Sequence, residues 1–397
     1  MKKFCAVILA FCMICTLAAC GKTAGTKPTP ETTVPPASAE VITTVPQDSV
    51  MPSAETLYSI SMPIISESFS AEDGTPIFSF EYQSMHLIHP DRDVAQKVIS
   101  DYDSRVENIL PEAQQLQEGA EKADHTSAGF VPYIYRTQYN ATRIDQGVLS
   151  LYGQIVQVGE TGRAAQQGVS INYNMVTGDV LTLGSILYHI DFKDELCELL
   201  IEALDATDYF LYDDYQQTVR ARFARDESTD EAFYFTRTGL CFYFSPYEIA
   251  PFVSGNIVAE VPYHQLTGII GDEFFPAERI PSNGMLSIMA FRDDIWEQYE
   301  QFSDIITKEN GQKILLTTDS VVQDIRIMQL QWRDDSMTQN TVYAANSICS
   351  TDAILLEGDF SEDKPSFMIS YYIGGVEQRF YLLRDSQTDS IVLSVIQ

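Results

Sequence analysis

Gly239-Leu240-Cys241-Phe242-Tyr243-Phe244-Ser245-Pro246-Tyr247-Glu248-Ile249-Ala250-Pro251 is the stretch on which the fold class of this 397-residue chain turns. Leu240 to Phe244 is a dense apolar and aromatic run of the kind that a buried, pleated strand accommodates. Pro246 fixes φ and removes a donor, which ends that strand after Phe244. Tyr247 and Glu248 begin the return and Gly255 permits a tight turn. Ile257, Ala259 and Val261 then alternate along a further strand. Upstream, residues 232–236 supply the other arm of a hairpin closed by Arg237-Thr238-Gly239. The whole reads as a strand–turn–strand corner lined by buried aromatic side chains.

On the N-terminal side the patterning predicts strands at 57–65 and 77–83. A helix follows, with Val94, Val98, Tyr102, Val106, Ile109 and Leu110 at three- and four-residue spacing. Asp91 or Asp93 is placed to cap it. Strand patterns return over 130–139, 148–158 and 169–173, with Thr177-Gly178-Asp179 as a turn. A second helix carries Phe192, Leu196, Leu199, Leu200 and Ala203 on one face. Antiparallel strands with two or three helices make residues 56–275 an α+β domain. Pro276, Pro281 and Gly284 mark a boundary. Beyond them lies a segment with helical character near Ile295-Trp296, then short strands at 313–317, 321–332, 353–357, 366–373, 376–383 and 390–396. Gly374-Gly375 is a hairpin turn between two of these. Residues 284–397 are therefore expected to form a smaller all-β, sandwich-like C-terminal domain.

The N-terminal end has a different character. Lys2 and Lys3 precede an uncharged, mostly apolar run from Phe4 to Thr16, and Leu17-Ala18-Ala19-Cys20 follows. The run is too short to cross a hydrocarbon core of roughly 30 Å, so residues 1–19 read as a cleavable export signal. Small residues directly before a cysteine specify a lipoprotein signal, with Cys20 as the lipidation site. Two acyl chains anchor a protein stably where one does not. Residues 20–55 are rich in Pro, Thr, Ser and Ala and read as a tether, able to span on the order of 100 Å at ~3 Å per residue. The expected location is extracytoplasmic, on the outer face of the cell membrane of a Gram-positive cell.

Charge supports that reading and narrows the partners. The formal net charge is −31, and loss of Lys2 and Lys3 with the signal brings it to about −33. So acidic a chain excludes nucleic acid as a partner, because phosphate binding needs a basic surface. It favours a cationic partner, or metal ions in the wall. After Cys20 only Cys197, Cys241 and Cys349 remain, an odd number that completes no disulfide framework; Cys197 and Cys241 read as small buried hydrophobes, with a bridge between them as the alternative. His86 and His89 form a His-x-x-His beside Asp91 and Asp93, but Pro90 follows directly and the stretch reads as a strand end rather than a metal-binding helix. The acidic clusters at Asp213-Asp214, Asp226 to Asp230, Asp293-Asp294 and Asp334-Asp335 lack the alternating register of a calcium loop and read as solvated faces. No Gly-x-Ser-x-Gly elbow or phosphate-binding glycine loop is present. No catalytic residue, metal ligand or cofactor is assigned.

The run from Gly239 to Pro251, continued through Gly255 to Val261-Pro262-Tyr263-His264-Gln265-Leu266, resembles the extracytoplasmic RsiV/PdaC-type domain, a domain-of-unknown-function family. Thr177-Gly178 with Leu181-Thr182-Leu183, and Gly147-Val148-Leu149-Ser150-Leu151, match its further motifs. The resemblance spans about residues 57–270. PdaC-type proteins add a metal-dependent deacetylase domain, for which this sequence has no candidate. Where many relatives carry Gly-Gly-Ala-His, this chain has Gly159-Glu160-Thr161-Gly162-Arg163-Ala164-Ala165, without the histidine. The resemblance implies a ligand-binding module outside the cell, because its best-known relative binds lysozyme. Tyr243, Tyr247 and Glu248 are the candidate ligand contacts; the alternative is that the motif is kept for its corner alone. The function expected is a lipid-anchored, non-catalytic binding module for a lysozyme-like cationic protein or for peptidoglycan, with the membrane reached through the lipid on Cys20. A cell-wall-modifying hydrolase whose acids converge on folding, and a scaffold for another surface protein, are the rival readings.

Overall fold

The first four strands, β1 (Ser59–Ser61), β2 (Ile64–Ser70), β3 (Pro76–Gln83) and β4 (His86–Ile88), precede the long helix α1 (Arg92–Lys122). In this computed structural model residues 58–396 are described, except 128, 225–231, 278–283, 293, 294, 296, 297, 300, 334 and 335. The signal peptide, Cys20, the tether, Trp296 and the acidic clusters at 226–230, 293–294 and 334–335 lie outside the described residues. The Asp91 carboxylate accepts from the Asp93 and Val94 amides and so caps α1. The helix runs past Leu110 through Pro111 to Lys122, because Ala113 and Ala120 continue its buried face. Small alanines leave little periodic signal in a sequence, which is why the second half was not expected.

Three long strands follow: β5 (Tyr133–Ile144), β6 (Val148–Val158) and β7 (Ala164–Asn174). With β2 and β3 they form a five-stranded sheet in the order β2-β3-β5-β6-β7. β3 and β5 are parallel, as the crossover through α1 requires, and the other pairs are antiparallel. Val98 and Tyr102 of α1 pack with Leu149, Leu151, Ile171 and Tyr173 of the sheet.

The next region holds the short helix α2 (Leu183–Ile186), α3 (Phe192–Asp205), α4 (Tyr215–Phe223) and the strands β8 (Phe233–Phe235), β9 (Gly239–Phe244) and β10 (Ile257–Pro262). The strands form an antiparallel sheet, β10-β9-β8. Leu240, Phe242, Phe244, Ile257, Ala259 and Val261 on one face bury against Leu196, Leu200, Leu204 and Val219 of α3 and α4. The opposite face sets Tyr234, Cys241 and Tyr243 against Tyr152 of β6. Helix α4 buries only Tyr215, Val219 and Phe223, a stripe too sparse among Gln, Thr and Arg to be legible beforehand.

From Leu286 onward the chain is β: β11 (Leu286–Ala290), β12 (Gln301–Ile306), β13 (Gln312–Thr318), β14 (Val322–Arg333), β15 (Ser336–Ile348), β16 (Asp352–Gly358), β17 (Phe367–Ile373), β18 (Val376–Arg384) and β19 (Ile391–Val395). A four-stranded sheet, β11-β13-β16-β12, and a seven-stranded sheet, β19-β18-β17-β14-β15-β1-β4, share one core that includes Ile314, Leu316, Leu356, Ile327, Tyr343 and Ile369. Strand β12 runs parallel to β16. The described residues are thus mostly strand, with four α-helices and several antiparallel sheets.

The described residues fall in one compact unit, and buried polar groups make its joints. Strand β1, from the start of the fold, lies between β15 and β4. Arg326 of β14 donates to the Ala141 and Thr142 carbonyls of β5 at 2.9 and 3.0 Å, where a register shift between Ala141 and Arg143 leaves the ladder open. The Gln83 side chain donates to the Thr341 carbonyl at 3.0 Å and accepts from the Tyr139 amide at 2.6 Å. Arg237, in the turn between β8 and β9, pairs with the buried Asp324. Most enclosed of all is Arg143, which is 0% exposed. It pairs with Asp145 at 2.6 Å, donates to the Tyr263 hydroxyl at 2.7 Å and the Phe274 carbonyl at 2.6 Å, and lies 5.6 Å from the Phe235 ring centre. Burial works against its charge, but Asp145 and Tyr263 more than offset this, so its pKa stands above the ordinary guanidinium value.

Asp145 is the sole ionic partner of Arg143 among the described residues, and it also accepts from the Gly147 and Val148 amides. Replacing it by Ala leaves a guanidinium buried against its desolvation cost. Asp145→Ala is expected to lower the unfolding free energy by about 3–5 kcal/mol, read by urea denaturation; a cost under about 1 kcal/mol would show that the network does not hold the joint.

Candidate functional site

Strand β9 ends where Pro246 begins the corner, and the next residue, Tyr247, takes a left-handed backbone with φ of 72°. A non-glycine residue in that region needs compensating contacts. They come from the corner itself. The Tyr247 amide donates to the Ala250 carbonyl at 3.0 Å and the Glu248 amide to the Ser245 carbonyl at 3.1 Å. The Glu248 carboxylate accepts from the Ser245 amide at 3.0 Å and from Arg222 at 3.2 Å. Arg222 also donates to the Tyr243 carbonyl and lies 4.9 Å from the Phe244 ring centre. The corner closes through a short turn at Phe252–Ser254 and Gly255, whose φ of 64° favours glycine.

The three candidate contacts of the motif therefore face different ways. Tyr243 is buried. Its hydroxyl lies 3.3 Å from Ser170, its ring packs so closely on Gly168 that a Cβ there would come within 2.6 Å of it, and burial pushes its phenol up to about 12. Glu248 is engaged by Arg222 and the Ser245 amide and braces the corner. Tyr247 is displayed: it is 68% exposed and its ring stacks on Phe252 with centroids 5.5 Å apart. Phe252 and Val253 are exposed beside it, Val253 by 91%. The loop of residues 206–214 is tied to the corner by the Tyr212 amide, which donates to the Ile249 carbonyl at 2.9 Å. That loop presents Tyr209 and Phe210 to solvent together with Asp208, Asp213 and Asp214.

Tyr247, Phe252 and Val253 are thus held out in solvent on a braced turn, and the tied loop adds the exposed Tyr209 and Phe210 and three exposed carboxylates. The sequence marked Tyr247 but not Phe252, Val253, Tyr209 or Phe210. The signal available for the first two was their position between Pro251 and Gly255, where a core residue has no strand or helix to carry it inward.

The other sequence candidates have no such setting. His86 is exposed on β4, and His89 turns its Nδ1 to the Asp91 amide at 3.0 Å with its ring edge against Tyr58. Among the described residues no group of three or more His, Cys, Asp or Glu side chains is placed to hold a metal ion. One spacing passed over in reading the sequence, where no Ser-x-x-Lys motif was expected, is Ser361-Glu362-Asp363-Lys364, the spacing of an acyl-enzyme nucleophile. Its Ser361 hydroxyl, however, accepts from the Asp363 and Lys364 amides in a turn, and the Lys364 ammonium lies 5.8 Å from the centre of the Trp332 ring. A cleft of about 550 Å³ lies between the C-terminal end of α1 and the β6–β7 turn, lined by Lys122, Asp124, Phe130, Tyr133, Glu160 and Gly162 among others. It includes the stretch where the chain departs from the Gly-Gly-Ala-His pattern. Among the described residues no helix is long and apolar enough to cross a membrane.

Residues 186–264 match the family described as protein of unknown function DUF3298. The DUF3298 segment begins at the last residue of α2 and contains α3, α4, the β8–β9 hairpin, the corner and β10, so the whole aromatic surface belongs to it. The chain is also similar to two solved structures of that family. One, from Bacteroides fragilis NCTC 9343, is 12% identical with a TM-score of 0.37, over 54% of this chain and 94% of the other. The second, from Pseudomonas aeruginosa PAO1, is 16% identical with a TM-score of 0.36, over 55% and 97%. No protein of curated function matches the chain.

Cys197, Cys241 and Cys349 are all free thiols. Burial pushes Cys197 up to about 11 and Cys241 up to about 12, so neither forms thiolate near neutrality. In native protein at pH 8, a thiol reagent is expected to modify Cys349 alone of these three, and all three in denaturant. Labelling of Cys241 without unfolding would contradict the closed packing of Tyr152, Tyr234 and Tyr243 around it.

Proposed function

We propose that this chain is a lipid-anchored, extracytoplasmic binding protein whose DUF3298 segment captures a cationic protein ligand, lysozyme-like in its charge, at the aromatic corner. One observation carries the reading: Tyr247, Phe252 and Val253 stand exposed on a turn whose backbone is locked by Glu248 and Arg222. Ordering flexible side chains costs affinity, and rigid aromatic residues escape most of that cost. The exposed carboxylates of Asp208, Asp213 and Asp214 supply a rim that attracts positive charge. Cys20 with the preceding Leu17-Ala18-Ala19 supports attachment to the membrane, and the Pro/Thr-rich tether supplies reach.

Two measurements test the two halves of this reading. Calorimetric titration of the soluble mature chain with lysozyme is expected to show binding that weakens as salt rises. Tyr247→Ala should lose about tenfold or more in affinity with an unchanged melting temperature; equal binding by the variant would remove the corner from the interface. Mass spectrometry of membrane-extracted protein should find a chain beginning at Cys20 and carrying a diacylglycerol, and an intact, unacylated Met1 terminus would contradict the anchor.

A further inference from the structure

The body of the fold begins in an unusual place. Strand β1 has three residues, and it is an interior strand: Ser59, Ile60 and Ser61 pair with Ala345, Ala344 and Tyr343 of β15 on one side and with Ile88, Leu87 and His86 of β4 on the other. Its flanks are fixed as well. The Tyr58 amide donates to the Asn346 side-chain oxygen at 2.8 Å, the Asn346 amide donates back to the Tyr58 carbonyl at 3.0 Å, and the Met62 amide donates to the Val342 carbonyl at 2.8 Å. Tyr58, Ser59, Ile60 and Met62 are all buried, Ile60 and Met62 completely. Two residues later the chain enters the five-stranded sheet as β2. The first described residues thus pass between the short edge strand β4 and β15 of one sheet, and the chain continues into the other.

We infer that β1 is a mechanical clamp, by which tension on the N-terminal arm passes into both sheets at once. This rests on the reading that Cys20 anchors the chain, for only then does a captured ligand pull against residue 58. An edge strand can be peeled away one hydrogen bond at a time. An interior strand cannot leave until its bonds on both sides fail together, and here withdrawal would also draw Ile60 and Met62 out of the core into water. The same three residues in a terminal position on an edge would release at the first bond.

The test is mechanical. The soluble mature chain, with Cys20→Ser and Cys349→Ser, is held by a handle at its N-terminus and one at Val253→Cys, and stretched in optical tweezers. A clamp gives no extension step before the main rupture. An early low-force step of at most about 20 Å, the full extended length of residues 58–63, overturns the proposal. Asn346→Ala removes the acceptor of the Tyr58 amide. It is expected to lower the rupture force for N-terminal pulling and to leave unchanged the force measured between Val253→Cys and Asp363→Cys. An equal fall in both geometries means that Asn346 serves overall stability and that β1 is no clamp. The measurement needs no lipid, so its failure leaves the anchor standing, and loss of the anchor by mass spectrometry leaves the mechanical result standing.

Discussion

Arg143 carries a full charge with no surface in water, and the arrangement of the rest follows from how that charge is held. Its partners come from three places in the chain: Asp145 at the tip of the β5–β6 hairpin, Tyr263 just after β10, and Phe274 beyond it. A buried guanidinium tolerates few geometries, so this one cation fixes the long hairpin relative to the helical region. Arg326 and Arg237 do the same for the C-terminal strands, reaching β5 and joining the β8–β9 turn to β14. Apolar contact supplies most of the stability, but it is indifferent to direction. These polar joints set the direction.

The same logic holds at a smaller scale. The corner between β9 and β10 carries an exposed aromatic group on a strained backbone, and Arg222 with Glu248 absorbs the strain from behind. One face of the three-stranded sheet is covered by α3 and α4 and the other by the tyrosines around Tyr152. The corner is thus held from both sides and presents Tyr247 in one attitude. In the proposed reading that rigidity lets a small patch bind without first paying to order itself.

Much of this was legible in the sequence, and the exceptions share a cause. Val94, Val98 and Tyr102, or Ile257, Ala259 and Val261, declare their element because burial there repeats with its period. Strand β15 did not, because Thr341 in its middle is buried through hydrogen bonds to Asn140 of β5, not through apolarity. Helix α4 hid behind a sparse stripe. The place of β1 beside β15, some 280 residues away in the chain, follows from pairing across the fold and no local pattern could announce it. Of the site, Pro246, Tyr247 and Gly255 announced a corner. That Glu248 turns inward while Phe252 turns outward depends on Arg222, on a distant helix.

The central claim is that buried polar joints make one body of the described residues. Scanning calorimetry of the soluble mature chain tests it most directly, through the ratio of calorimetric to van't Hoff enthalpy. The account predicts a single transition with a ratio of about one. Two resolved transitions, one of them reproduced by a separately expressed fragment of residues 284–397, would contradict it.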